Sequence, residues 1–264
     1  MLSEVVEQYR RLGYWLDLGS PRMLCGSVAD ISSGKQLHLG GGISVSDILL
    51  FASLSHMFEP KSIFVVGNSF GLSVAVLAEL FPESLIDVID AECEGSDNRV
   101  GSDLTRAMID NRYRRVQLTI GYSPVDVPRA CRAQEYGLCF VDGLHTNEQM
   151  VKDFEALRPR VASECVIVCH DVASHGMQTG WNSIREAASK DGFRGYECSW
   201  TSFGSGVLVR GLPQVDRFFA STARPFGDSR FSIGHRVPSG RPWYWSRTYY
   251  ELRTLLLRKI GLRR

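Results

Sequence analysis

No excess of either charge marks this 264-residue chain: 30 Lys and Arg stand against 29 Asp and Glu, a formal net charge of +1. That near-neutrality provides no field for gathering nucleic acid, although the last stretch is locally basic. Long apolar runs are also missing. None approaches the roughly 20 residues that a bilayer-spanning helix needs, and the opening MLSEVVEQYRRLGYW scatters charges among its apolar residues, unlike a secretory signal. The expected location is therefore the cytoplasm. An even set of cysteines is lacking too: there are seven, and Cys139, Cys165 and Cys169 lie inside apolar runs, where thiols pack as small hydrophobes in a reducing setting. Neither G-x-G-x-x-G nor the Gly-Lys-Ser/Thr of a phosphate-binding loop occurs at the glycine turn near residue 67. There is no internal repeat.

With 44% hydrophobic residues the chain can bury a sizeable core. Residues 61–172 alternate short apolar runs with longer amphipathic ones, the pattern of βαβ units that build a parallel sheet. SIFVV, LIDVID, RVQLTI, GLCFVD and CVIVCHD read as five strands; GLSVAVLAELF, GSDLTRAMIDNRY, VDVPRACRA, NEQMVKDFEAL (with Thr146 as N-cap) and SIREAAS read as helices. GYECSWTSF and GVLVRG are expected to close the sheet as antiparallel strands. Two flanks look added. Residues 1–60 hold a helical start, the glycine run LGGGIS and the amphipathic SVSDILLFASLSHMF; residues 211–243, rich in Pro, Gly, Arg and Phe, read as a long irregular segment, either shaping a substrate site or serving as a linker.

In an open α/β sheet ligands gather beyond the carboxyl ends of the strands. The first strand runs into Gly67, Asn68, Ser69, Phe70 and Gly71. Such a turn lets a ligand approach the backbone, and the helix N-terminus after it favours an anionic group; a plain structural turn is the alternative. Asp90 ends the second strand about twenty residues further on, where an acid accepts from ribose hydroxyls or simply caps the next segment. Gly121 and Ser123 end the third, in position to meet a base. The fourth and fifth strands end in DGLH and HDV, placing Asp142, His145, His170 and Asp171 in one small volume. Crowded carboxylates need compensation, and a divalent cation with oxygen and nitrogen ligands supplies it.

The ordered set VVGNSFGLS, VIDAE, GYSPVDVP, FVDGLH and CHDV resembles class I S-adenosylmethionine-dependent O-methyltransferases of the metal-dependent, catechol O-methyltransferase-like kind, over residues 63–172. The resemblance implies a Rossmann-like, doubly wound, mostly parallel sheet of about seven strands with an antiparallel closing edge. It places Gly67, Asn68, Ser69, Gly71, Ser73, Asp90, Ser123 and Asp142 around S-adenosylmethionine. Gly67, Gly71 and Ser73 would lie at its methionine end, Asp90 at its ribose and Ser123 at its adenine. It makes Asp142, His170 and Asp171 ligands of Mg²⁺ or Mn²⁺, and puts His145 where the catechol enzymes have a catalytic lysine, as the base taking the acceptor's proton. The DG-x-H and HD pairs look closest to branches that act on sugars and microbial natural products, which implies a small-molecule or glycan acceptor. Where the family commonly has an acid two residues before the first glycine, this chain has Val65.

Three parts follow from this reading: a helical extension over residues 1–60, a cofactor-binding domain over 61–210, and a C-terminal loop with a basic amphipathic helix over 211–264. That helix, with Trp243, Tyr244, Trp245, Tyr249 and Tyr250 beside Arg258, Lys259, Arg263 and Arg264, either lies on an anionic membrane surface or packs on protein, and a homo-oligomer is expected. Two other functions share the sheet: a nicotinamide-dependent oxidoreductase, which calls for a third glycine near position 72, and a non-catalytic assembly partner, for which Val65 speaks.

Overall fold

Seven strands make the central sheet of the computed structural model, which describes residues 1–18, 26–38, 42–93 and 97–226. All of these belong to one unit, Met1–Ile233. In chain order the strands are β4 (Ser62–Val66), β5 (Leu85–Asp90), β6 (Val116–Ile120), β7 (Tyr136–Val141), β8 (Val161–Cys169), β9 (Arg194–Cys198) and β10 (Ser205–Arg210), with spatial order β6-β5-β4-β7-β8-β10-β9. The first five run parallel; β10 is antiparallel to both β8 and β9. The doubly wound sheet with its antiparallel edge is as the sequence predicts.

The strands form here because they are apolar on both faces. Every residue of β4 and β7 is buried, and their side chains alternate between two cores: Ile63 and Val65 join one, Phe64 and Val66 the other. Helices α1 (Leu2–Arg11), α2 (Val45–Ser55), α3 (Leu72–Leu80), α4 (Asn98–Asn111) and α8 (Pro213–Thr222) contribute to the first; α6 (Asn147–Leu157) and α7 (Gln178–Lys190), with the short α5 (Val127–Ala130), contribute to the second. The Thr146 hydroxyl accepts from the Gln149 N–H at 3.1 Å, the cap expected from the sequence.

Three differences from the sequence reading have physical causes. The N-terminal flank contains an antiparallel sheet, β1 (Tyr14–Asp17), β2 (Ser27–Asp30) and β3 (Gln36–His38), as well as helices; strands of three or four residues carry too little alternation to register as a pattern. Residues 213–222, inside the segment read as irregular, form α8, with proline in the first turn and Val215 and Phe219 buried four residues apart. The helix expected over VDVPRACRA covers only Val127–Ala130. The aromatic, basic helix expected at the C-terminus, with the membrane and oligomer readings attached to it, falls outside the described residues.

Candidate active site

The order in which strands are added reverses between β4 and β7, because β5 and β6 lie to one side of β4 and β7, β8 and β10 to the other. Such a switch point leaves a crevice at the strand ends, and here the glycine turn and the acidic cluster meet in it.

Close backbone approach explains the glycines. Gly67 has φ +93°, and a Cβ there would stand 2.0 Å from the Asp142 carbonyl oxygen. Gly71, at φ +79°, precedes α3; a Cβ would meet Thr105 Oγ1 at 2.4 Å. The turn between them is tied down by Asp90: Oδ2 accepts from the N–H groups of Asn68 (2.6 Å) and Ser69 (3.1 Å), and Oδ1 from that of Glu92 (2.7 Å). A carboxylate offers about four lone-pair positions, so these three bonds leave about one for a ribose hydroxyl. Asn68 and Ser73 are buried at the turn and in the first turn of α3, and the buried Ser69 Oγ has no hydrogen-bond partner. Ser123 is held one strand away, its carbonyl accepting from Gln149 Nε2 at 2.7 Å.

A cavity of about 30 Å³ lies against this turn, lined by Gly67, Asn68, Ser69 and Ser73 on one side and by Leu16, Val28 and Ile43 of the N-terminal flank on the other. The absent Cβ atoms, the orphaned hydroxyl and the helix N-terminus fit the amino-acid end of S-adenosylmethionine chemically. The volume itself is that of about one or two waters. Val65 is wholly buried among apolar side chains on the β4 face towards that flank.

At the ends of β7 and β8 the cluster expected from the sequence is assembled. His170 Nδ1 lies 3.1 Å from Asp142 Oδ1 and 3.4 Å from Asp171 Oδ1; His145 Nε2 lies 2.9 Å from Asp171 Oδ2 and 3.5 Å from Asp142 Oδ1. Asp171 adopts φ +58°, a left-handed conformation that turns the chain out of β8 beside the cluster.

Two members escaped the sequence reading. Asp47, on the capping turn of α2, is buried and places Oδ2 3.1 Å from His170 Nε2, within reach but out of line for a hydrogen bond. Its carboxylate also accepts from the Ser44 N–H at 2.9 Å and the Ser44 hydroxyl at 2.5 Å. The S-x-x-D pattern marks the cap but not the contact with His170, 123 positions away. His175 stands 3.6 Å from Asp171 Oδ2 and stacks on His145, ring centroids 4.4 Å apart; its spacing four residues after Asp171 was the available signal.

Imidazoles and carboxylates shift one another's protonation in this cluster. Burial works against the charged forms, yet His145 and His170 hold the Asp142 carboxyl below the usual carboxylate range and that of Asp171 well below it. Burial likewise opposes protonation of His145, but its hydrogen bonds to Asp142 and Asp171 push it up to about 10. His170 is raised well above the ordinary value against its burial, by Asp171, Asp142 and Asp47. His175 goes the other way, lowered by burial and by the neighbouring imidazoles. The donor set of carboxylate oxygens and imidazole nitrogens, each imidazole within 3.6 Å of a carboxylate oxygen, suits a divalent cation.

Comparisons with known proteins agree with this geometry. Residues 64–172 match a family model described as a methyltransferase domain. An O-methyltransferase from Bacillus cereus in complex with SAH is 16% identical, superposes with a TM-score of 0.53 and is matched over 65% of this chain and 84% of its own. The O-methyltransferase TomG from Streptomyces achromogenes, involved in tomaymycin synthesis and solved with SAM, is 15% identical with a TM-score of 0.51, over 79% of this chain and 88% of its own. No curated protein matches. Residues 64–172 are thus a methyltransferase domain, and the chain carries the fold of class I S-adenosylmethionine-dependent O-methyltransferases.

Proposed function

We propose that the protein transfers a methyl group from S-adenosylmethionine to a hydroxyl of a glycosyl or other secondary-metabolite acceptor, with a divalent cation at the strand-end cluster. The observation that carries this is the juxtaposition of Gly67 with Asp142: the turn suited to the cofactor's amino-acid end touches, through one carbonyl, the residue that opens the acidic cluster. Donor methyl and acceptor oxygen are thereby given adjoining seats, and positioning of this kind supplies much of the rate in a direct displacement.

Gly67, Gly71 and Ser73 would receive the methionine end, Asp90 the ribose through its remaining acceptor position, and Ser123 the adenine side. Asp142, with His170 and Asp171 as the sequence resemblance implies, would hold the cation, which when bound polarises the acceptor hydroxyl and lowers its pKa. His145, at the open edge of the cluster, has two duties available: taking the acceptor's proton, or ligation. It serves as a base only after the carboxylates that hold its own proton are otherwise neutralised. TomG's involvement in tomaymycin synthesis supports a secondary-metabolite acceptor here.

Calorimetric titration with S-adenosylmethionine, with and without Mg²⁺ or Mn²⁺, tests the reading. Binding of the cofactor is expected in both conditions; absence of cofactor binding sinks the proposal.

A further inference from the structure

His170 is a poor candidate for the cation's imidazole ligand, although it sits at the strand end. Its ring is 3% exposed, stands edge-on to Phe140 and Phe203, and has a carboxylate at each nitrogen: Asp47 at Nε2 and Asp142 at Nδ1. It is committed to joining α2 to the strand ends. The mouth of the crevice holds another set. One nitrogen each of His145 and His175 and one oxygen of Asp171 all lie within 4.8 Å of one another, on side chains 19%, 12% and 8% exposed.

We propose that His145, Asp171 and His175 are the protein ligands of the cation, and that it is a transition ion such as Mn²⁺, Co²⁺ or Zn²⁺ in preference to Mg²⁺. This set takes the place of the Asp142, His170 and Asp171 set that the sequence resemblance implies, and it rests on the function proposed above for what the cation does. Two imidazoles and one carboxylate form a donor set that Mg²⁺, which demands oxygen, takes poorly and transition ions take well. The site is partly open to solvent, so positions remain for an acceptor hydroxyl. Ser174 Oγ, 2.8 Å from His175 Nδ1 and 3.3 Å from Asp171 Oδ1, ties two of the three side chains together. His145 then acts as a ligand, and loss of the acceptor's proton follows from the ion's effect on the hydroxyl.

The test uses the full chain, stripped with EDTA, and Co²⁺ and Mg²⁺ as separate probes without cofactor. Co²⁺ should bind one to one and at least about 100-fold more tightly than Mg²⁺. His175→Ala and His145→Ala should each weaken Co²⁺ by more than the roughly 10- to 100-fold that loss of an outer partner costs, whereas Asp142→Asn weakens it less than either. Proton resonances shifted by bound Co²⁺ should report two imidazoles in the parent and one in His175→Ala. His175→Gln, checked by circular dichroism, guards against a folding defect. Wild-type Co²⁺ affinity in His175→Ala, a larger loss in Asp142→Asn than in His175→Ala, or no Co²⁺ binding overturns the inference. Titration of the same samples with SAH judges the methyltransferase reading independently: failure there with Co²⁺ binding intact sinks that reading and leaves the ligand set standing.

Discussion

Gly67→Ala is the sharpest perturbation of the crevice. An L-residue at φ +93° costs about 1–2 kcal/mol in backbone conformation alone. The new Cβ would stand 2.0 Å from the Asp142 carbonyl oxygen and 2.7 Å from its carbon, more than about 1 Å inside ordinary van der Waals contact. The obstacle is backbone, so no rotamer change relieves it, and overpacking of this kind costs about 1–3 kcal/mol. Separating the strand ends also strains the 2.9 Å bond from the Asp142 N–H to the Val66 carbonyl, a bond worth about 1 kcal/mol net. The expected loss is about 3–5 kcal/mol by urea unfolding. A folded remnant should bind SAH at least tenfold more weakly. A stability loss under about 1 kcal/mol with unchanged SAH affinity would refute the account of why glycine stands there.

Asp47→Asn keeps the shape of the cap but leaves His170 without one of its buried carboxylates; we expect about 2–3 kcal/mol lost in urea unfolding, and a loss no larger than the roughly 1 kcal/mol of a helix cap would show that the His170 contact contributes nothing. Asp90→Ala removes the acceptor of three backbone N–H groups and should lower the thermal midpoint while weakening SAH, whereas unchanged SAH affinity would assign Asp90 to the turn alone. In EDTA-treated protein His145, raised to about 10, contributes stability that is complete below its unfolded pKa near 6.5 and is lost as pH rises. The urea midpoint should therefore fall between about pH 7 and 9, and His145→Gln should flatten that slope; the same slope in the variant would exclude His145 as its source. Asp142 and Asp171, both lowered, act in the opposite direction, their contribution being lost as pH falls into the acid range.

What the sequence made legible was whatever repeats at short range. Strands such as SIFVV and GLCFV are almost wholly apolar because both faces are covered, and the βα alternation then puts DGLH and HDV side by side. The contacts of Asp47 with His170 and of His175 with His145 were not legible in this way. They depend on where α2 and the segment after β8 return in space, which no local period encodes. The strands β1–β3 were hidden for a different reason, their length, and α8 because Pro213 resembles loop composition until it is seen to open a helix.

The link from α2 to the strand ends bears on how the protein varies over evolution. Ser44 and Asp47 close the capping turn of α2, Asp47 reaches His170, and Ser46 accepts from the Ser202 N–H at 2.9 Å. That flank meets the crevice through charge and the β9–β10 turn through hydrogen bonds. Exchange of such a segment between relatives would carry a partner for His170 or lose it. The N-terminal region and the HDV strand end are accordingly expected to change in concert, so that diversification of the acceptor is channelled into segments that bear no such tie.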